Sequence, residues 1–152
     1  SLVSRLDKAR LFKTTYGCMR QVSFGLLDMA YHTIRKPFDK DIMEFERKAW
    51  KKAELMKQLP DTCMTTQFSH IMAGGYSAGY YSYKWAEVLE ADAFSVFKKK
   101  GIFNQEVAQS FRDNILSKGG TKDPMELYVA FRGQEPTIDA LLKRNGIKTS
   151  KS

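Results

Sequence analysis

Two cysteines and two histidines in 152 residues set the first limits on this chain. Cys18 and Cys63 are too few for a disulfide framework; on helical segments they read as small buried groups, which points to a reducing, cytoplasmic setting. A zinc set of Cys18, His32, Cys63 and His70 would need four ligands from scattered positions with no C-x-x-C or H-x-x-H nucleus, so this chain is expected to bind no metal itself. The longest uncharged run, Cys63 to Tyr83, is broken by Gln67, His70 and small polar residues, and does not read as a membrane span. The amino terminus lacks the apolar core of a signal peptide. No segment alternates apolar and polar residues between turn signals, which excludes a sheet. Internal repeats and low-complexity tracts are also missing.

Acidic residues are in short supply, 17 against 25 lysines and arginines, for a net charge of +8 and a pI near 9.5. Such a balance raises a basic all-helical binding module for an acidic protein or nucleic acid as one reading of the chain. The basic residues are dispersed over amphipathic segments, however, and only Lys98-Lys-Lys100 and the Lys148 to Ser152 tail form runs. Dispersed lysines are ordinarily solvated faces, so neither nucleic acid nor membrane is expected as a partner.

Helical periodicity dominates what is present. Leu6 to Lys13 leads into Val22, Leu26, Met29, Ala30 and Thr33, whose three- and four-residue steps predict a buried helix ending before Pro37. Ile42, Phe45, Ala49, Ala53 and Met56 form one stripe of an amphipathic helix over Asp41 to Gln58, with Glu44 and Lys48 paired on the other face. Pro60 to Thr66 reads as a loop, and a long helix from about Ser77 to Lys100 stops at Gly101. Asn104 caps a helix through Val107, Ala108, Phe111 and Ile115 that ends at Gly119-Gly120. Asp123-Pro124-Met-Glu126 supplies an N-cap, a first-turn proline and a capping-box glutamate for a helix to Phe131. A last helix runs from Pro136-Thr137 through Leu142 to Gly146. The expected fold class is all-α, an orthogonal helical array rather than a coiled coil, because the apolar steps hold no heptad register.

The most specific stretch is Phe68-Ser-His-Ile-Met-Ala-Gly-Gly-Tyr-Ser-Ala-Gly-Tyr-Tyr-Ser-Tyr-Lys-Trp85, with four tyrosines, a histidine and no acid. If the chain is helical from Ser77, Tyr76, Tyr80 and Tyr83 fall at i, i+4 and i+7 and project their hydroxyls from one side. Phenols and an imidazole aimed at one point can stabilise an oxygen that becomes negative during acyl transfer. With no nucleophile, paired carboxylate or histidine pair nearby, this is half of an active site. The same window also reads as a buried helix whose tyrosines fill the core and satisfy their hydroxyls internally. Gly74, Gly75 and Gly79 fit either reading, the Gly75-x-x-x-Gly79 spacing suiting close packing. The segment lacks the spacing and the Lys-Ser/Thr ending of a phosphate-binding loop.

This window resembles the carboxy-terminal signature of the thimet oligopeptidase family of zinc metallopeptidases, of the bacterial peptidyl-dipeptidase and oligopeptidase A type. Leu26-Leu-Asp-Met-Ala-Tyr-His32, Gly101-Ile-Phe-Asn104, Asn114-Ile-Leu-Ser-Lys-Gly-Gly120 and Phe131-Arg-Gly-Gln-Glu-Pro136 join the resemblance in the same order. It implies that residues 2–147 are the helical C-terminal part of a zincin-like peptidase catalytic domain, followed by a basic tail at 148–152. His70 and Tyr76 resemble residues that contact the bound peptide and the tetrahedral intermediate. Tyr83 resembles the tyrosine that hydrogen-bonds the oxyanion, and Tyr80 a further tyrosine lining the cleft. In that family an H-E-x-x-H helix and a later glutamate hold zinc, the motif glutamate activating water. This chain has no H-E-x-x-H, so the resemblance implies zinc in a longer parent that hydrolyses short peptides. The upstream remainder of the same polypeptide would then supply the metal and the general base.

Overall fold

The computed structural model describes residues 1–53 and 56–147; the expected basic tail at 148–152, and positions 54–55 of the expected Asp41–Gln58 helix, lie outside them. Among the described residues every regular element is helical. The chain divides into two compact units, Ser1–Trp85 and one from Ala86 onward.

The first unit starts with α1 (Leu2–Arg10) and α2 (Thr14–His32). Lys13, where the first apolar segment leads into the second, is left-handed, at φ 57°, and precedes α2. From α2, Phe24 and Leu27 point into a core completed by Phe68, Ile71 and Tyr80, with Tyr31, Ala49, Trp50 and Met64 packed around it. α3 (Ile42–Trp50) is capped by Asp41, whose carboxylate accepts the Glu44 N–H at 2.7 Å. It closes at Trp50 rather than continuing toward Gln58, the Ala53 N–H turning back to the Trp50 carbonyl at 2.8 Å. Its inward face carries Glu46, which is 1% exposed. An acid on that face is what an apolar stripe does not reveal.

The Glu46 carboxylate receives five donors: Gln58 Nε2, the Met64 and Thr65 N–H groups, the Thr65 hydroxyl and the Cys63 thiol. Burial alone would raise its pKa, but the bonds from Thr65, Met64 and Gln58 outweigh that and hold it below the ordinary value. The segment before Phe68 is thereby fastened, and a short 3₁₀ turn (Thr65–Gln67) leads into α4 (Ser69–Met72).

The second unit is built on α5 (Ser82–Lys100), which it holds from Ala86 onward, with α6 (Gln105–Phe111), α7 (Pro124–Arg132) and α8 (Asp139–Arg144). Its punctuation follows the sequence: Asn104 accepts the Val107 N–H, Asp123 accepts those of Met125 and Glu126, and Gly101, Gly133 and Gly146 take positive φ at helix ends. A wide π turn (Arg112–Leu116) follows α6, the Ser117 N–H reaching the Arg112 carbonyl at 2.8 Å. Inside, Asp92 is 2% exposed and accepts from Tyr128 and from both Nε and Nη2 of Arg132. Burial, the bond to Asp92 and its negative charge push the Tyr128 phenol well above its ordinary pKa.

Candidate functional site

The site is assembled from the segment between α4 and the first turn of α5, all within the first unit. His70 sits on α4, Tyr76 in the turn that follows, Tyr80 just before α5, and Tyr83 on its first turn. Rings bring the four together: His70 lies 5.9 Å from Tyr76 and 6.1 Å from Tyr80, and Tyr80 lies 5.1 Å from Tyr83. Tyr76 and Tyr83 stack at 5.0 Å with 25° between their planes.

The backbone differs from the sequence expectation in one decisive place. The helix expected from Ser77 begins at Ser82, and residues 77–81 form turns. Asp28, on the buried side of α2 and 0% exposed, is bonded to this stretch. Its Oδ1 accepts the Ala78 N–H at 2.9 Å and its Oδ2 the Tyr80 N–H at 2.9 Å. His32 Nδ1 stands 2.8 Å from the same Oδ1 and 2.9 Å from the Asp28 carbonyl oxygen. Ala78 is left-handed, at φ 56°, which stops a right-handed helix from extending through it. The Ser77 hydroxyl adds a bond to the Ile71 carbonyl at 2.7 Å.

As a result the three tyrosines do not form one helical row. Tyr80 turns inward, 8% exposed, and donates its hydroxyl to Gln21 Oε1 at 3.0 Å. Burial raises its pKa, moderated by the charge of Arg20 and the Gln21 bond. Tyr76 and Tyr83 remain open to solvent, 38% and 40% exposed, as does His70. A hydrogen bond with Tyr76, together with desolvation and the neighbouring phenols Tyr76 and Tyr80, raises the Tyr83 pKa above its ordinary 10.0. A tyrosine phenol is protonated, and able to donate, at neutral pH.

The glycines act differently from expectation. A methyl at Gly75 would meet open space and one at Gly79 only ordinary contacts, so this spacing packs nothing closely. The tight position is Gly74, where an added Cβ would lie 3.0 Å from the His70 carbonyl oxygen. Asp28 is the residue that sequence reasoning leaves without a role. Its sequence signal is its place in the Leu26–His32 motif of the family resemblance, which gives it no role of its own.

Among the described residues no three His, Cys, Asp or Glu side chains converge to hold a metal ion. His32 is engaged by Asp28, whereas His70 faces Tyr76 and Tyr80. These residues do not fit a zinc site, and zinc enters no step assigned to them. No described helix is long and apolar enough to cross a membrane.

The arrangement offers a pair of phenols and an imidazole on one exposed face, backed by a rigid aromatic core. Comparison with known proteins gives this face a context. Oligopeptidase A of Escherichia coli is 46% identical over 150 residues, which cover 97% of this chain and 22% of that protein. The probable cytosolic oligopeptidase A of Arabidopsis thaliana is 41% identical over 97% of the chain and 22% of its own length. A dipeptidyl carboxypeptidase of Salmonella typhimurium is 36% identical over 96% of the chain and 22% of its own length. The chain thus spans about a fifth of the relatives it matches. Residues 1–147 match Peptidase family M3, and the chain belongs to that family.

Proposed function

We propose that this chain is the helical carboxy-terminal part of a zinc metallopeptidase that hydrolyses short peptides, and that it supplies the substrate-binding and oxyanion-stabilising face. The observation that carries the reading is the exposed, stacked Tyr76–Tyr83 pair with the His70 ring beside it. When water adds to the scissile carbonyl, its oxygen becomes an alkoxide. A phenol whose proton is held can donate to that oxygen more strongly than to the ground-state carbonyl. Tyr83, on the first turn of a long helix, is assigned that donation. Tyr76, in the turns before it, and His70, on α4, are assigned the backbone of the bound peptide. Tyr80 contributes its ring to the floor of the cleft, its hydroxyl being taken by Gln21.

The remainder of the polypeptide is the proposed source of zinc and of the general base, and its natural partner. Neither nucleic acid nor membrane is proposed as one. A cytoplasmic setting is supported by the name of the Arabidopsis relative reported above.

The test is Tyr83→Phe in the full-length polypeptide. Removing one oxyanion donor lowers turnover on the order of a hundred- to a thousand-fold, so kcat should fall by that amount with KM little changed. Ring stacking survives the substitution. A variant that loses thermal stability but keeps kcat would make the phenol a packing group and sink the reading.

A further inference from the structure

We propose that Asp28 is the positioning residue of this tyrosine face: its carboxylate fixes the loop between Tyr76 and Tyr80 in the backbone conformation that exposes Tyr76 and Tyr83 as a stacked pair. The inference rests on the reading of that face as the substrate and oxyanion side of a peptidase.

A carboxylate with no exposed surface is unfavourable in a helix packed against a core, and an apolar side chain of similar size would avoid the desolvation penalty. What compensates Asp28 is specific. Its bonds go to the amides of Ala78 and Tyr80, two residues apart on the catalytic loop and some fifty away in sequence, and to the imidazole of His32. Both amides belong to the stretch that local periodicity would make helical.

The loop's own composition points the same way. Gly74, Gly75 and Gly79 flank the turn, yet none of them takes the positive φ; Ala78 does. A residue with a Cβ adopts that region when the surrounding structure over-determines it. Here the two oxygens of one carboxylate hold the amides on either side of Gly79.

The consequence is a sorting of tyrosines. A helix continued back to Ser77 would place Tyr76, Tyr80 and Tyr83 on one face. The clamp instead sends Tyr80 into the core against Phe24 and Phe68 and leaves Tyr76 and Tyr83 outside, 5.0 Å apart. Asp28 touches neither exposed ring and acts through the backbone between them.

The experiment is Asp28→Asn in the full-length polypeptide, followed by residue-resolved amide exchange and steady-state kinetics, with Tyr83→Phe alongside. The asparagine keeps the shape but turns an N–H₂ toward one of the two amides. In the unsubstituted protein the Ala78 and Tyr80 amides should be protected, and in the variant both should exchange faster while those of α2 do not. Misplacing the loop should lower kcat about ten- to a hundred-fold. Adding Ala78→Gly to Asp28→Asn should restore part of that loss, since glycine holds φ 56° without a clamp. Amide protection in α2 separates this from a general gain in stability, which would slow exchange there as well.

Ala78 and Tyr80 amides that exchange freely in the unsubstituted protein would overturn the proposal. So would an Asp28→Asn kcat within two-fold of the original when Tyr83→Phe shows its loss. If Tyr83→Phe also leaves kcat intact, the reading of the face itself has failed, and this inference falls with it. Should Asp28→Asn not fold, Ala78→Val puts the same question from the solvent side, because a β-branched residue resists φ 56° while the carboxylate stays. It should speed exchange of the Tyr80 amide and reproduce the kcat loss, and faster exchange with unchanged turnover would refute the positioning role.

Discussion

Glu46 and Asp28 are both buried carboxylates, and both accept hydrogen bonds from backbone amides. Glu46 holds the approach to His70 and Asp28 the loop after it. Because its donors hold the Glu46 pKa below the ordinary 4.5, the folded state binds this proton less readily than the unfolded chain does. Its stabilising contribution is therefore complete above the unfolded value and is lost as pH falls through the lower, folded one. Glu46→Gln should cost about 1–3 kcal/mol at neutral pH, since an N–H₂ then meets the Met64 and Thr65 donors. The loss should shrink on acidification below about 4.5, where the parent surrenders the same bonds. Denaturant unfolding of both proteins across that range checks it. A gap that stays constant would mean the charge is not what Glu46 contributes.

The elements carrying the candidate site differ in how firmly they are held. Tyr83 rides on a helix of 19 residues, whereas His70 belongs to the four-residue helix α4 and Tyr76 to the turns beyond the glycine pair. Groups on short, locally tied segments suit contacts made with the peptide in the ground state, and those contribute to KM as well as kcat. His70→Ala and Tyr76→Phe should each raise KM and lower kcat in the full-length polypeptide, in contrast to the kcat-selective loss at Tyr83. Kinetics on the singles and the double decide it; if both leave KM and kcat unchanged, the turn is a structural bend. Much of this scale was legible beforehand. Asn104, Asp123-Pro124, Gly101 and Gly146 end or start helices by chemistry local to a few residues. The starts of α2 and α5 and the stop of α3 were not. The turns before α5 are bonded to Asp28, fifty residues away, and a carboxylate on an inward helix face is invisible to an apolar pattern. Likewise the tyrosine window offered two readings, and the fold divides them between residues: Tyr80 fills the core while Tyr76 and Tyr83 face solvent.

At the scale of the whole molecule, charge is a poor guide. Arg132 serves buried Asp92 and Arg144 pairs with Glu90; such pairs leave the net charge of +8 unchanged but give these two cations intramolecular roles. The chain's kinship covers about a fifth of the length of its relatives, and the described residues bring no three metal-ligating side chains together. A catalytic zinc site takes about three protein ligands and a water. The isolated 152-residue chain should therefore fold as helix but hydrolyse no peptide, with or without added zinc. A quenched short peptide provides the assay, and metal analysis after desalting reports retained zinc. Oxyanion donors alone do not create a nucleophile, so Tyr83 and Tyr76 should show their kinetic effects only in the longer polypeptide. Turnover that persists through repurification of the isolated chain and vanishes in its His70→Ala variant would place the water-activating chemistry on these residues. The division of labour proposed between this chain and the rest of the polypeptide would then be wrong.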